Sequence, residues 1–161
     1  MRLITQERII ELAYTNSETN EIGLIKDAQI NAAQLRWIQP MLGDDLWDTL
    51  DSEYPSYSVN NQILVDMLEA PLAFFCKYEL VPDSSVNQTA AGLQVINTDF
   101  STPATDRQRG EIQDSSLIHA KVLLAEVTRW IEKDVNIDNY PDYLKSTNVS
   151  NKVSIRGGIV F

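Results

Sequence analysis

Five carboxylates lie close together between positions 44 and 53, and they are the densest group of potentially reactive side chains in the chain: Asp44, Asp45, Asp48, Asp51 and Glu53. Hard cations such as Mg²⁺ and Ca²⁺ bind several converging oxygens, so one hypothesis is a metal-dependent hydrolase that uses this cluster. The alternative is a helix start with a solvated acidic face, since acidic residues stabilise helix N-termini. No glycine-punctuated calcium loop of the EF-hand type accompanies the cluster.

The chain has few residues for catalysis or metal binding by histidine or cysteine. The chain has one histidine, His119, and one cysteine, Cys76, which excludes multi-histidine metal sites, cysteine-based zinc sites and an intramolecular disulfide framework. His119 could act as an acid–base pair with Asp114 or Glu126, but a single histidine on a long helix is more often a packing or surface residue. Cys76 is predicted to be a small core residue. We therefore expect no enzyme: no catalytic residues, no metal and no cofactor.

Composition narrows the function classes further. The 161 residues are 43% hydrophobic and 22% charged, as in a globular domain, with a net charge of −10 and a pI near 4.4. This acidity argues against conventional nucleic-acid binding, which needs Lys and Arg clusters to neutralise phosphate, and against binding to an anionic membrane surface. The longest apolar run, 70–76, is too short to span a membrane, and Glu7 and Glu11 interrupt any signal-peptide core.

Hydrophobic periodicity predicts a mostly α-helical fold. We expect a small bundle of four to five helices in a single body over residues 1–144, with a β-hairpin or extended insertion and an extended C-terminal arm. The predicted helices cover 6–14 with Thr5 as N-cap, 27–41 with Asp27 as cap, 46–50, 62–80 and 111–135.

Two helices are predicted to meet at a glycine corner. The segment reads WIQPMLGDDLWDTL, and its structural residues are Trp37, Pro40, Leu42, Gly43 and Trp47. Pro40 lacks an N–H and should kink or shorten the last turn, and Gly43 is a left-handed stop. The helix before the corner is expected to bury Ala28, Leu35, Ile38 and Leu42.

The helices at 62–80 and 111–135 carry the strongest apolar patterns. The first has one stripe through Ile63, Met67, Phe74 and Tyr78, and a neighbouring stripe through Leu64, Leu68, Leu72 and Phe75, so it is predicted to be central, with a kink at Pro71. The second contains 122–124, which is apolar on nearly all sides, and is expected to pack on two partners.

Residues 82–110 are polar and rich in turn-forming types, which predicts an insertion with strands near 85–89 and 93–96. Arg107 and Arg109 lie at its end beside Asp106. They could contact acidic groups of a partner, or lie in a solvated loop.

The last 17 residues differ in character from the body. Residues 145–161 contain three basic residues and no acidic one, so the arm carries +3 and the body −13. The arm could fold back on its own core or dock on a neighbouring chain by strand addition, which suits its alternating pattern and its opposite charge. The predicted interface residues are Lys152, Val153, Ile155, Arg156, Ile159, Val160 and Phe161.

The order of these parts resembles the head–tail connector proteins of tailed bacteriophages, in particular those of Bacteroidetes and crAss-like phages. The resemblance covers residues 1–144 and rests on the glycine corner, the helix with an internal Ala70-Pro71, the insertion at 85–95 and the long helix closing at Tyr140-Pro141. It implies a structural adaptor without catalytic residues. About twelve copies would form a ring in the neck of the virion, between the portal protein and the next neck or tail protein, after synthesis in the bacterial cytoplasm.

An acidic, non-membrane ring fits this implication, because DNA should pass through its lumen without being bound. A different class of protein also fits the charge: an acidic DNA mimic that inhibits a host nucleic-acid-binding protein. Such a mimic would carry its charge as a regular stripe and would act as a monomer or dimer.

Overall fold

The structure, a computed structural model, describes residues 1–14, 25–82, 86–89, 92–95 and 105–143. The elements in chain order are α1 (Gln6–Ala13), α2 (Asp27–Ala33), a π-helical segment (Gln34–Ile38), α3 (Gln39–Leu42), α4 (Asp44–Glu53), α5 (Val59–Leu80), β1 (Val86–Thr89), β2 (Gly92–Val95), α6 (Asp106–Ile131) and α7 (Asp134–Ile137). The predicted mostly helical bundle is confirmed.

Helix α5 is the centre of the bundle, as its sequence predicts. It packs against α1, α2, the π-helical segment and α6. The stripe through Leu64, Leu68, Leu72 and Phe75 is fully buried. The helix begins at Val59, three residues before the predicted start, and continues without a break through Pro71, which is itself buried.

The second predicted stripe of α5 is buried to different degrees along the helix. Met67 and Phe74 pack half-buried against the core, whereas Ile63 is exposed. The stripe therefore forms the border between core and solvent, because α6 covers only part of this side.

Helix α1 agrees with its prediction. The hydroxyl of Thr5 accepts a hydrogen bond from the Arg8 backbone N–H at 3.3 Å, and Ile9, Ile10 and Ala13 are buried. The Arg8 Nε donates to Glu69 Oε2 at 2.7 Å, which ties α1 to α5.

The predicted buried stripe of the next helix is partly wrong. Ile38 and Leu42 are buried, but Ala28 is exposed and Leu35 is 53% exposed. The reason is that Gln34 takes a core position, at 1% exposure, and its Oε1 accepts the Leu3 backbone N–H at 2.8 Å. Because a polar residue occupies a core position, the apolar residues of this segment do not mark the buried side of the helix.

The π-helical segment accommodates Pro40. A proline removes one α-helical hydrogen bond and its ring clashes with the carbonyl four residues earlier, which is that of Arg36. The chain widens before Pro40, so that the Gln39 N–H donates to the Gln34 carbonyl, and the helix continues to Leu42 instead of ending early.

The corner forms at Gly43, which has φ 84° and ψ 160°. Helix α4 starts immediately after it and buries Leu46 and Leu50, as predicted, with Trp47 half-buried; it is longer than the predicted 46–50. Trp37 does not pack within the corner. Its ring stacks on Phe75 of α5 with centroids 4.6 Å apart.

The insertion contains two short antiparallel strands. Val86 pairs with Val95 and Thr89 with Gly92, close to the two strand positions expected from sequence. The sequence predicts an insertion that extends to residue 110, but the insertion ends earlier because α6 begins at Asp106. Thr105 and Gln108 form a capping box, a signal that is readable in the sequence and that sets this start.

The C-terminal end of the bundle closes on α5. After α6 and the short α7, the buried Tyr140 donates from its Oη to the Asn60 carbonyl at 2.6 Å. The predicted single helix over 111–135 is thus two helices, of which the longer ends at Ile131.

Substitution of Gly43 should destabilise the fold. Its backbone conformation is almost restricted to glycine, and a side chain there costs about 1–3 kcal/mol. We expect Gly43→Ala to lower the free energy of unfolding by about that amount in urea titrations followed by circular dichroism. The matched control is Gly110→Ala on α6, where a new Cβ meets no atom within 4 Å. This control should be neutral or raise stability by about 0.5–1 kcal/mol; equal effects of both variants would contradict the assignment of the corner.

Candidate functional site

The acidic residues of α4 form the most highly charged surface of the described residues, and they have several different partners. Asp44 accepts from Gln39 Nε2 at 3.1 Å, and Asp51 pairs with the N-terminal ammonium at 2.6 Å. Glu53 accepts the Ser58 N–H at 2.8 Å, and this hydrogen bond lowers the pKa of its carboxyl.

This arrangement does not support the metal-hydrolase hypothesis. Across residues 1–14, 25–82 and 105–143, no three His, Cys, Asp or Glu side chains are grouped so that they could hold a metal ion. Helix α4 carries five acidic residues and no basic one, so what it offers chemically is a negative surface.

The basic arm follows the described chain at a point beside this surface. Asp142 Oδ2 accepts from the Thr49 hydroxyl of α4 at 3.2 Å, and Tyr143 packs against the core. The predicted interface residues of the arm lie outside the described residues: Lys152, Val153, Ile155, Arg156, Ile159, Val160 and Phe161. The chain thus leaves the described body next to its most acidic helix.

Arg107 and Arg109 lie on the first turn of α6 and not in a loop, which corrects that interpretation. The Arg107 Nε donates to Glu111 Oε1 at 2.8 Å, and Arg109 pairs with Asp106. Both guanidinium groups are therefore engaged with acids of their own helix.

The corner residues act structurally. The Trp37 Nε1 donates to Glu79 Oε1 at 3.1 Å while its ring stacks on Phe75, and Leu42 is fully buried. Arg36 donates to the same Glu79 oxygen at 2.9 Å. This network fixes the helix before the corner on the end of α5, so the corner has a defined direction.

His119 and Cys76 lie in different environments, and the Nδ1 of His119 is 3.5 Å from the Ser115 hydroxyl. His119 is exposed and its ring lies 5.3 Å from that of Phe74, while Glu126 pairs with Arg129 and not with His119. Cys76 is buried, and burial raises the pKa of its thiol to about 12. Such a thiol stays protonated and is a poor nucleophile.

Sequence reasoning missed a groove of about 340 Å³ between the N-terminal segment and the loop before α5. Its lining includes Arg2, Leu3, Tyr54, Tyr57 and Glu69. The Tyr57 Oη is buried there without a hydrogen-bond partner, and burial raises the pKa of this phenol to about 12. No short motif could have indicated the groove, because its two walls, residues 2–5 and residues from Tyr54 onward, lie about 50 residues apart in sequence.

Two exposed apolar patches are also new. Val59 and Ile63 lie one turn apart at the start of α5, with Val59 79% exposed. Ile118 and Val122 lie one turn apart in the middle of α6 and are 61% and 57% exposed. The prediction that α6 packs on two partners is fulfilled on one side only, since its main contact in the described structure is α5.

Residues 38–153 match a protein family described as a family of unknown function, DUF6712. The chain belongs to this family. The matched segment includes the glycine corner, the two strands, α6 and the first part of the basic arm, and the family description names no function. No curated protein and no solved structure matches the chain. None of the described helices has the length and hydropathy needed to cross a membrane.

Alkylation should show that Cys76 is inert. We expect iodoacetamide to react with the native protein at pH 8 at least about 100-fold more slowly than with the urea-unfolded chain, because the buried thiol is protonated and covered. The rate should stay low as pH rises from 8 to 10, whereas the thiolate fraction of glutathione, used as control, increases. A native rate that followed the glutathione profile would contradict a core role.

Proposed function

We propose that this protein is a structural subunit of the head–tail connector of a tailed bacteriophage. About twelve copies would form a ring beneath the portal protein, bind the next neck or tail protein on the other side, and surround the path of the DNA. The proposal starts from the resemblance of residues 1–144 to connector proteins, and the features below support it.

The separation of opposite charges along the chain, into an acidic body and a basic arm, is the observation that carries the proposal. A cyclic ring is built head to tail, so each subunit needs two different surfaces that complement each other. The acidic α4 is one such surface, and the arm with three basic and no acidic residues is the other. The Thr49–Asp142 hydrogen bond holds the end of the described chain against α4.

The acidity also suits the passage of DNA. A net charge of −10 repels phosphate. A subunit that gripped the backbone would slow the genome during packaging and ejection. The rigid Gly43 corner and the continuous α5 suit a load-bearing adaptor, since a ring under internal pressure needs subunits of fixed shape.

Removal of residues 149–161 should weaken assembly. We expect this truncated protein to lose association with purified portal rings, while its circular dichroism spectrum keeps the helical signal, because α1 to α7 end before the deletion. The measurement is sedimentation of mixtures with portal protein, together with electron microscopy of the particles.

Charge reversal separates a specific arm from a general charge effect. Arg156→Glu should reduce portal-templated assembly, and Lys133→Glu, which changes the net charge equally at an exposed position of the body, should not. Normal assembly of the truncated protein would refute the role of the arm. Two results would refute the connector function. One is that the protein is absent from the neck of purified virions, and the other is that it binds tightly to a basic host protein in competition with DNA.

A further inference from the structure

Helix α6 has a second face that the described structure does not cover. Its buried residues lie on the side that packs on α5, and they include Ser116, Ala120, Val127 and Ile131. Six residues with spacings of four and three lie on the opposite side and form what we call the α6 seam: Glu111, Ser115, Ile118, Val122, Ala125 and Arg129. This spacing is that of a coiled-coil seam, and it runs for about 27 Å along the helix.

The seam is organised like a small interface. Ile118 and Val122 occupy its centre, Ser115 and Ala125 flank them with small side chains, and charged residues close both ends. An apolar centre with a polar rim is the usual anatomy of protein contacts. Small residues beside the centre allow two helices to approach closely.

The order of residues is complementary to itself in the antiparallel direction. The six residues form three pairs that are symmetric about residue 120. The outer pair, Glu111 and Arg129, is nine positions from residue 120. The middle pair, Ser115 and Ala125, is five positions away, and the inner pair, Ile118 and Val122, is two positions away. When two copies of α6 cross antiparallel at residue 120, Glu111 of each copy meets Arg129 of the other and Ile118 meets Val122. A parallel arrangement would instead place Glu111 opposite Glu111 and Arg129 opposite Arg129, which is repulsive.

We propose that the α6 seam binds a second copy of this chain in an antiparallel, two-fold contact. The pairing has no unmatched charge along the seam, and it covers the apolar centre that α5 leaves exposed. Within each copy, Arg107 pairs with Glu111 and Glu126 with Arg129, so the ends of the contact become networks of four charges. This two-fold contact goes beyond the proposed ring function and does not depend on it, because a closed pair and a head-to-tail ring use different symmetries.

The contact area predicts a weak, reversible dimer. A seam of this length buries on the order of 1,000 Å² in total, at the low end for specific contacts. The net charge of −10 on each copy opposes association at low salt. Near-physiological salt, where the screening length is about 8 Å, reduces this repulsion but leaves the short Glu–Arg contacts. We therefore expect dissociation constants in the micromolar range.

Analytical ultracentrifugation of the full-length chain tests the contact. The wild-type protein should pass from monomer to dimer between about 1 and 200 µM. Ile118→Asp should weaken dimerisation at least about 30-fold without lowering the melting temperature, because this side chain is 61% exposed in one copy. Val59→Asp, at the other exposed apolar patch, is the matched control and should leave the dimer unchanged. A wild-type protein that stays monomeric at 200 µM, or an Ile118→Asp variant that dimerises normally, would overturn the proposal.

Charge exchange tests the register. Glu111→Arg alone and Arg129→Glu alone should each weaken the dimer about tenfold, because each places like charges together at both ends. The double variant should return to within about threefold of wild type, because the pairs are restored with opposite sign. A double variant weaker than both single variants would rule out the antiparallel register.

Disulfide cross-linking tests the direction independently. Under mild oxidation, the variant with both Ser115→Cys and Ala125→Cys should form covalent dimers, since an antiparallel pair places residue 115 opposite residue 125. Ser115→Cys alone should not cross-link, because its two copies are about 15 Å apart in this arrangement. The buried Cys76 does not interfere. Cross-linking of the single variant would indicate a parallel contact and overturn the proposal. A ring of about twelve copies that contains no such dimers would support the proposed function and would reject this two-fold contact.

Discussion

Burial of α5 on several sides is the constraint on which the rest of this structure depends. The helix is apolar around most of its circumference, so it is stable in water only when other elements cover it. Helices α1 and α2, the π-helical segment and α6 each cover part of it. The Arg8–Glu69 and Trp37–Phe75 contacts fix α1 and the π-helical segment to it, and the Tyr140–Asn60 hydrogen bond fixes the chain that follows α7. The bundle is therefore arranged around one helix. Helix α4 follows the corner, adds Leu46 and Leu50 to the core, and is also held by the Thr49–Asp142 hydrogen bond and the pairing of Asp51 with the N-terminal ammonium.

This arrangement explains where interaction surfaces can occur. Elements that cover α5 commit their apolar residues to the core, whereas α4 buries only Leu46 and Leu50 and presents its acids to solvent. Helix α6 is intermediate, since it is 26 residues long and covers α5 along one side, which leaves an apolar seam on the other. The described structure therefore leaves two kinds of surface exposed to solvent, the acidic side of α4 and the apolar seam of α6.

Most of the fold class and many of the local elements could be predicted from the sequence, because they depend on short-range patterns. Thr5 caps α1, Gly43 makes the corner, and Leu64 to Phe75 mark the buried side of α5, each from residue type and spacing alone. The start of α6 at Asp106 also has a local signal, since Thr105 and Gln108 form a capping box, and this signal predicts an insertion shorter than 82–110.

Residue types and their spacing are enough to predict the helical class, the central helix, the glycine corner and the separation of an acidic body from a basic arm. Three features became visible only once the helices were packed: Gln34 lies in the core, Trp37 stacks on Phe75, and Ile118 and Val122 face outward. The physical reason is that helix formation depends on neighbours within one or two turns, whereas burial of a side chain depends on a partner far away in sequence. Gln34 is stable in the core because the backbone N–H of Leu3, 31 residues earlier, supplies its hydrogen bond, and no local pattern contains that information.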